Sequence, residues 1–273
     1  MHTAKFRNSA DFKNYFQENG AELMNRRAIE DELLARHSAG QRTVMGYSYQ
    51  AREVVDFEMQ GVSWREDLAC PKTGLSSRLR SALHIFDSAC SPSNDDHVYI
   101  TEQTTPAFRY LSSLYPNLVG SEFLPDGIPG KSNSEGIRHE DLTQLSFETG
   151  SLDSILSFEV LEHIPDFVSS LVEMARVLKP GGHLVWTAPF LPGQYENLRR
   201  AEMLPDGTIN HIEEPEYHGD PIQKQGILCF HHFGWQLLDQ LKEAGFRDAY
   251  ASYYWSAHYG YYGGDAMTFV CIR

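Results

Sequence analysis

From His97 to the end of the chain, short β-branched and apolar runs alternate with amphipathic segments, the feature that most limits what this sequence can fold into. HVYI, residues 97 to 100, follows the turn-forming SPSNDD and leads into a helix that Thr104 or Thr105 can cap and Pro106 can start. NLVGSEFL is a second strand ending at Glu122. GIRHEDLTQL reads as a third, short strand turning at Asp141. LDSILSF is a near-continuous apolar run of the kind buried on both faces of a parallel sheet. A helix follows from about Pro165, with Val168, Leu171, Ala175 and Leu178 on one face and KPGG as its stop. HLVWTAPF, the helix HHFGWQLLDQLKEAGF and the strands DAYASYYWS and AMTFVCI complete the pattern. Alternation of this kind, with seven strand runs, specifies a doubly wound, mostly parallel α/β sheet with ligands at the carboxyl ends of its strands.

The first 90 residues are organised differently and read as a small N-terminal α+β module. Residues 11 to 37 predict a helix, residues 43 to 75 short alternating runs, and residues 76 to 90 a second helix. The expected division is therefore 1–90 and 91–273. Within the second part, residues 191 to 230 are too long for an ordinary connection and predict a functional insertion lying over the substrate.

Bulk properties exclude several classes. A formal charge of −14 supplies no basic face for a nucleic-acid footprint. No apolar run reaches the length of a membrane span, and the N-terminus lacks the apolar stretch of a signal peptide. Cys70, Cys90, Cys229 and Cys271 lie far apart and read as reduced thiols of a cytoplasmic protein. A small-molecule substrate is the expected partner.

The segment LDSILSFEVLEHIPDFVSSLVEMARVLKPGGHLVWTAPF closely resembles the second half of a Rossmann-like, class I S-adenosylmethionine-dependent methyltransferase of type 11. The resemblance extends over roughly residues 95 to 273 and implies a seven-stranded sheet with an antiparallel last strand. It implies S-adenosylmethionine as cofactor and methylation of O or N on a small molecule. It also gives the strand ends roles. Glu122 would accept the ribose hydroxyls. Asp141 would accept the adenine amino group beside the Leu142 backbone. Phe158 and Glu159 would flank the methionine part.

The chain departs from that family at its first loop, where TEQTTP replaces a glycine-rich turn. S-adenosylmethionine carries no phosphate, so no pyrophosphate cradle is needed. Thr104, Thr105 and the first N–H groups of the helix can hold its carboxylate, and Glu102 or Gln103 its ammonium. Helix capping alone is the alternative for Thr-Thr-Pro.

Positions 48, 51, 70 and 73 have the spacing of a four-ligand zinc ribbon but hold Ser, Ala, Cys and Thr. The context resembles ribbon modules that precede some bacterial methyltransferase domains. With three of four thiols missing, no metal is expected, and Tyr47, Tyr49, Phe57 and Trp64 would hold the module by packing. Its roles could be shaping a substrate pocket or forming a homodimer interface.

Candidate bases come from two places. His163, one turn after Glu159, is a base or a helix-start residue. The insertion crowds His211, Glu216, Tyr217, His218, Asp220, His231 and His232 together, and His211, Tyr217 and His218 are its candidate catalytic groups. Two His and two carboxylates there can also bind a metal, although no pair has the helical spacing of a strong site. The aromatic stretch YYWSAHYGYYGG reads as packing or as the wall of an apolar pocket. Two rival functions remain at this level: another transfer or an intramolecular displacement using the same cofactor, and a non-catalytic binding protein that keeps the fold.

Overall fold

The computed structural model describes residues 1–219, 226–264 and 266–273. They form two compact units, Met1–Pro92 with Ala251–Thr268, and Ser93–Tyr250 with Phe269–Arg273. Asp220 lies outside the described residues.

The expected mixed α/β fold with a seven-stranded sheet is observed. Its order is His2–Phe6, Asp248–Trp255, Met267–Ile272, Leu178–Thr187, Leu152–Phe158, Val98–Ile100, Val119–Gly120. In the second unit the last four of these run parallel to one another. Met267–Ile272 is antiparallel to Leu178–Thr187, with Phe269 opposite Trp186. Leu152–Phe158 is buried along almost its whole length, as its unbroken apolar composition requires. On the helix Phe167–Val177, the buried residues are Phe167, Ser170, Leu171, Met174, Ala175 and Val177. Val168, expected on that face, is exposed. Trp186, Phe269, Phe190 and Trp235 stack edge-on or tilted at 4.9 to 5.1 Å to form the aromatic core behind the central strands.

Three elements differ from the sequence expectation. The third strand, GIRHEDLTQL, is reduced to an isolated parallel bridge between Glu122 and His139. Its polar backbone is taken by a local turn, because His139 donates to Lys131, Asn133 donates to Ile137, and the Asn133 side chain accepts from Ile137. The seventh strand is instead His2–Phe6, antiparallel to Ala251–Trp255. The first helix is also split, into Ser9–Glu18 and Gly20–Ser38. The break falls at Asn19, whose backbone leaves helical values at φ −107° and ψ 17° while its side-chain N–H donates to the Tyr15 carbonyl.

In the first unit, Thr43–Ser48, Glu53–Met59 and Leu68–Ala69 form an antiparallel sheet over a core that includes Phe57, Trp64, Leu68 and Tyr262. Ser48 Oγ lies 3.5 Å from Cys70 Sγ and accepts from the Ala51 N–H at 3.2 Å. Tyr47 and Tyr49 are half-buried and stack on His258 and His84. The helix Ser77–Cys90, capped by Ser76, carries a fully buried arginine, Arg80. Its guanidinium lies 3.8 Å from the Phe57 ring centre and donates to the carbonyls of Tyr259 and Gly260. No helix among the described residues is long and apolar enough to cross a membrane.

Candidate functional site

The four parallel strands point their carboxyl ends to one edge of the sheet. Ile100 faces Gly120 on one side and Leu156 on the other, and Phe158 faces Thr187. The residues that leave these strands, Thr101, Ser121 and Glu159, therefore gather along one edge of the second unit, where doubly wound sheets bind ligands.

The loop after Val98–Ile100 is folded onto Glu122. One oxygen of this carboxylate accepts from the Gln103 N–H at 2.8 Å, the Thr104 N–H at 3.0 Å and the Thr104 hydroxyl at 2.8 Å. The Gln103 side chain donates to the Gly136 carbonyl and accepts from the Arg138 N–H. Thr105 caps the helix Pro106–Ser112 by accepting from the Phe108 N–H. Gln103, Thr104, Thr105 and Glu122 are thus brought together, with intrachain partners for both threonine hydroxyls. The glycine this loop lacks lies across from it. A Cβ on Gly120 would meet the Phe108 ring at 2.5 Å and the Glu102 carbonyl at 3.1 Å. Only a glycine there lets the loop and helix pack so close.

Asp141 accepts from the N–H and hydroxyl of Thr143 at 2.8 and 2.7 Å, a turn that leaves Leu142 buried beside it. Its neighbour Glu140, not singled out by the sequence, is buried and held by Arg138 and by the Ser146 N–H and hydroxyl. Phe158 is buried. Glu159 adopts the left-handed region at φ +58° while its N–H donates to Thr187, a conformation that costs a non-glycine residue about 1 kcal/mol or more.

A second group of side chains gathers after the strand Leu152–Phe158, around the short 3-10 turn Leu161–His163. Glu162 is fully buried. Its Oε1 lies 3.7 Å from His163 Nε2 and 3.6 Å from His218 Nδ1. His218 Nε2 meets Glu216 at 2.9 Å, and Glu216 is also held by His232 at 3.2 Å and Arg200 at 3.2 Å. His163 Nδ1 lies 2.8 Å from the Leu228 carbonyl. Backbone bonds tie the insertion to this turn, since Phe230 donates to the Glu162 carbonyl and Cys229 to that of Glu216. Burial raises the Glu162 carboxyl to about 7, with repulsion from Glu159 adding to it. The Glu162 carboxylate, and after it Glu216, raises His218 to about 9 against its own burial.

The other insertion residues separate from this group. His211 is exposed on the hairpin Ala201–Met203/Ile209–His211, and Tyr217 is exposed opposite Leu228. His231 is buried against Phe167 at 4.8 Å, bonds to the Pro165 carbonyl, and has its pKa lowered by that burial. Glu162 itself escaped the sequence reading. Its one signal was a carboxylate set between Leu161 and His163 in FEVLEHIPD.

Residues 107–186 match the family model described as methyltransferase domain. Sterol 24-C-methyltransferase erg6 of Aspergillus fumigatus is 29% identical over 165 residues, covering 55% of this chain and 41% of that protein. A demethylmenaquinone methyltransferase of Staphylococcus epidermidis is 45% identical over 47 residues, covering 17% of this chain and 20% of that one. The chain therefore spans less than half the length of either relative. Among solved structures, an S-adenosylmethionine-dependent methyltransferase from Mesorhizobium loti is 16% identical with a TM-score of 0.43, over 70% of this chain and 96% of that one. Over residues 107–186, from the helix after the first parallel strand to the end of the fourth, the chain is thus similar to the methyltransferase domain.

Proposed function

We propose that the protein is an S-adenosylmethionine-dependent methyltransferase that methylates O or N of a small molecule. The observation that carries this reading is the likeness of residues 107–186 to a methyltransferase domain, joined to four parallel strands whose carboxyl ends share one edge, with Gln103, Glu122 and Glu159 in the segments that follow them. The cofactor would lie along that edge, its ribose beside Glu122, its adenine beside Asp141 and Leu142, and its methionine part beside Phe158 and Glu159. Glu102 and the Gln103–Thr105 turn would close over the methionine end as one element, because Glu122 fixes the turn's backbone.

The reaction is an in-line displacement. A lone pair on the substrate oxygen or nitrogen forms a bond to the sulfonium methyl carbon, and the carbon–sulfur electrons stay on sulfur as S-adenosylhomocysteine. The nucleophile's proton must leave, and most of the rate comes from holding the two atoms in line. Glu162, His163 and His218 are the groups that would receive that proton, and residues 191 to 230 would cover the substrate. Cytoplasmic location and a homodimer through the N-terminal module belong to the same proposal.

Calorimetric titration with S-adenosylmethionine tests it. The expected result is one site per chain that weakens in Glu122→Ala and Asp141→Ala, with S-adenosylhomocysteine released on turnover. Release of methylthioadenosine would favour a non-methyl transfer. No binding at millimolar ligand would overturn the reading.

A further inference from the structure

Glu162 poses a chemical problem that its neighbours do not solve. Its side chain is completely buried, and neither oxygen has a hydrogen-bond partner among the described residues. Leaving a carboxylate so placed is expensive, so such groups are paired with a cation or a proton. What faces it are two imidazole nitrogens at 3.6 and 3.7 Å, too far for hydrogen bonds.

The tautomers follow from the outer contacts of the two rings. The Leu228 carbonyl can only accept, so His163 carries its proton on Nδ1 and turns an Nε2 lone pair towards Glu162. Glu216 sits 2.9 Å from His218 Nε2 and is itself held by Arg200 and His232 as a carboxylate. His218 therefore donates from Nε2, and its Nδ1, which also faces Glu162, carries the proton that a bound cation would displace. One imidazole lone pair, a second ring nitrogen that becomes a ligand on losing its proton, and a buried carboxylate converge, all three ligand atoms within 4.8 Å of one another. Ligands about 2.1 Å from a tetrahedral ion stand roughly 3.4 Å apart, close to the two separations seen. Each ring also donates its far N–H to a carbonyl or carboxylate, the outer contact that orients metal-bound histidines.

We propose that Glu162 Oε1, His163 Nε2 and His218 Nδ1 bind a first-row divalent cation, with zinc the best fit to two imidazoles and one carboxylate. Glu216 is a positioning residue that fixes the His218 ring. Three protein ligands leave the fourth position of a tetrahedral ion to water or substrate. On the methyltransferase reading, an oxygen nucleophile would occupy it, and the cation would lower that oxygen's pKa so that its proton passes to water before methyl transfer, instead of to Glu162, His163 or His218. The competing occupant of the space is a proton shared between Glu162 and His218.

The test is calorimetric titration of chelator-treated full-length protein with zinc chloride, then with cobalt(II), whose visible absorption reports coordination. One ion per chain is expected. Glu162→Gln and His218→Ala should each weaken binding by a hundredfold or more, and Glu216→Gln by 10- to 100-fold. His211→Ala, on its exposed hairpin, should bind as the parent does. Circular dichroism checks that each variant is folded, and Glu162→Gln, which keeps the shape of the side chain, carries the conclusion if the others unfold. Absence of binding at millimolar ion, or unchanged affinity in Glu162→Gln, would overturn the proposal in favour of the shared proton. Cofactor titration of the ion-free protein is read separately, so losing the ion site would leave the methyltransferase reading standing.

Discussion

Thr104 donates twice to the same oxygen of Glu122, through its N–H at 3.0 Å and its hydroxyl at 2.8 Å. One carboxylate thereby organises a loop that has no glycine to shape it. Glu122→Ala would release three donors at once and is expected to weaken S-adenosylmethionine binding by tenfold or more. Thr104→Val removes only the hydroxyl bond, worth about 1 kcal/mol, or roughly fivefold. A calorimetric comparison of the two variants checks the ranking. A larger effect from Thr104→Val would mean that the hydroxyl, and not the carboxylate, organises the loop.

Gly120 is where crowding would tell. An alanine Cβ would press into the Phe108 ring at 2.5 to 2.6 Å. Overpacking of this kind costs about 1–3 kcal/mol. Gly120→Ala should lower the urea midpoint accordingly, and Phe108→Leu in the same chain should recover part of the loss by vacating the ring. If the double variant is less stable than the sum of the two singles, the clash lies elsewhere.

Arg80 is buried on a helix of the first unit, and burial lowers its pKa to about 10. Methionine would keep most of the packing over Phe57 but strand the Tyr259 and Gly260 carbonyls. Each buried acceptor left without a partner costs about 1–3 kcal/mol. Arg80→Met is expected to destabilise the protein by at least about 2 kcal/mol in urea unfolding. Arg80→Lys should recover little, since an ammonium lacks the planar fork that reaches both carbonyls.

His84 sets the acid side of the stability profile. Burial, and after it the charge of the N-terminus, lowers its pKa to about 4, and its ring stacks on Tyr49 at 3.7 Å. The unfolded chain takes up a proton at this histidine near pH 6.5, whereas the folded chain resists until about 4. Its contribution to stability is therefore full above pH 6.5 and is lost as pH falls towards 4. Melting temperatures recorded from pH 7 to 4 should decline, and His84→Phe should flatten that decline. An equal slope in the variant would assign the acid sensitivity to other groups.

Legibility in the sequence followed the range of the interactions involved. LDSILSF announces a buried strand because its composition alone excludes water from both faces. Thr105 and Pro106 announce a helix start because a cap bonds within three residues. The third strand was misread because residues 131–139 pair with one another, a choice that depends on how Asn133 turns. The strand His2–Phe6 is short and not strongly apolar, and its partner lies at the other end of the chain. Glu162 and His218 meet only after the insertion folds back to bond at Phe230, so no spacing rule relates them. Nor does any sequence pattern show that Glu122 serves the loop before it as well as the edge beside it.

The strand His2–Phe6 also bears on how the protein behaves in crowded solution. Its partner, Ala251–Trp255, is rich in aromatic side chains and would otherwise offer a row of unsatisfied backbone groups along an apolar border. Such a border recruits strands from neighbouring molecules and seeds aggregates. By pairing all five of its residues there, the first strand acts as a built-in guard. Phe6 locks it in place, meeting Phe12 at 5.5 Å and Tyr15 at 5.3 Å. A tag or truncation that disturbs these few residues would be felt first as lost solubility, before any change in chemistry.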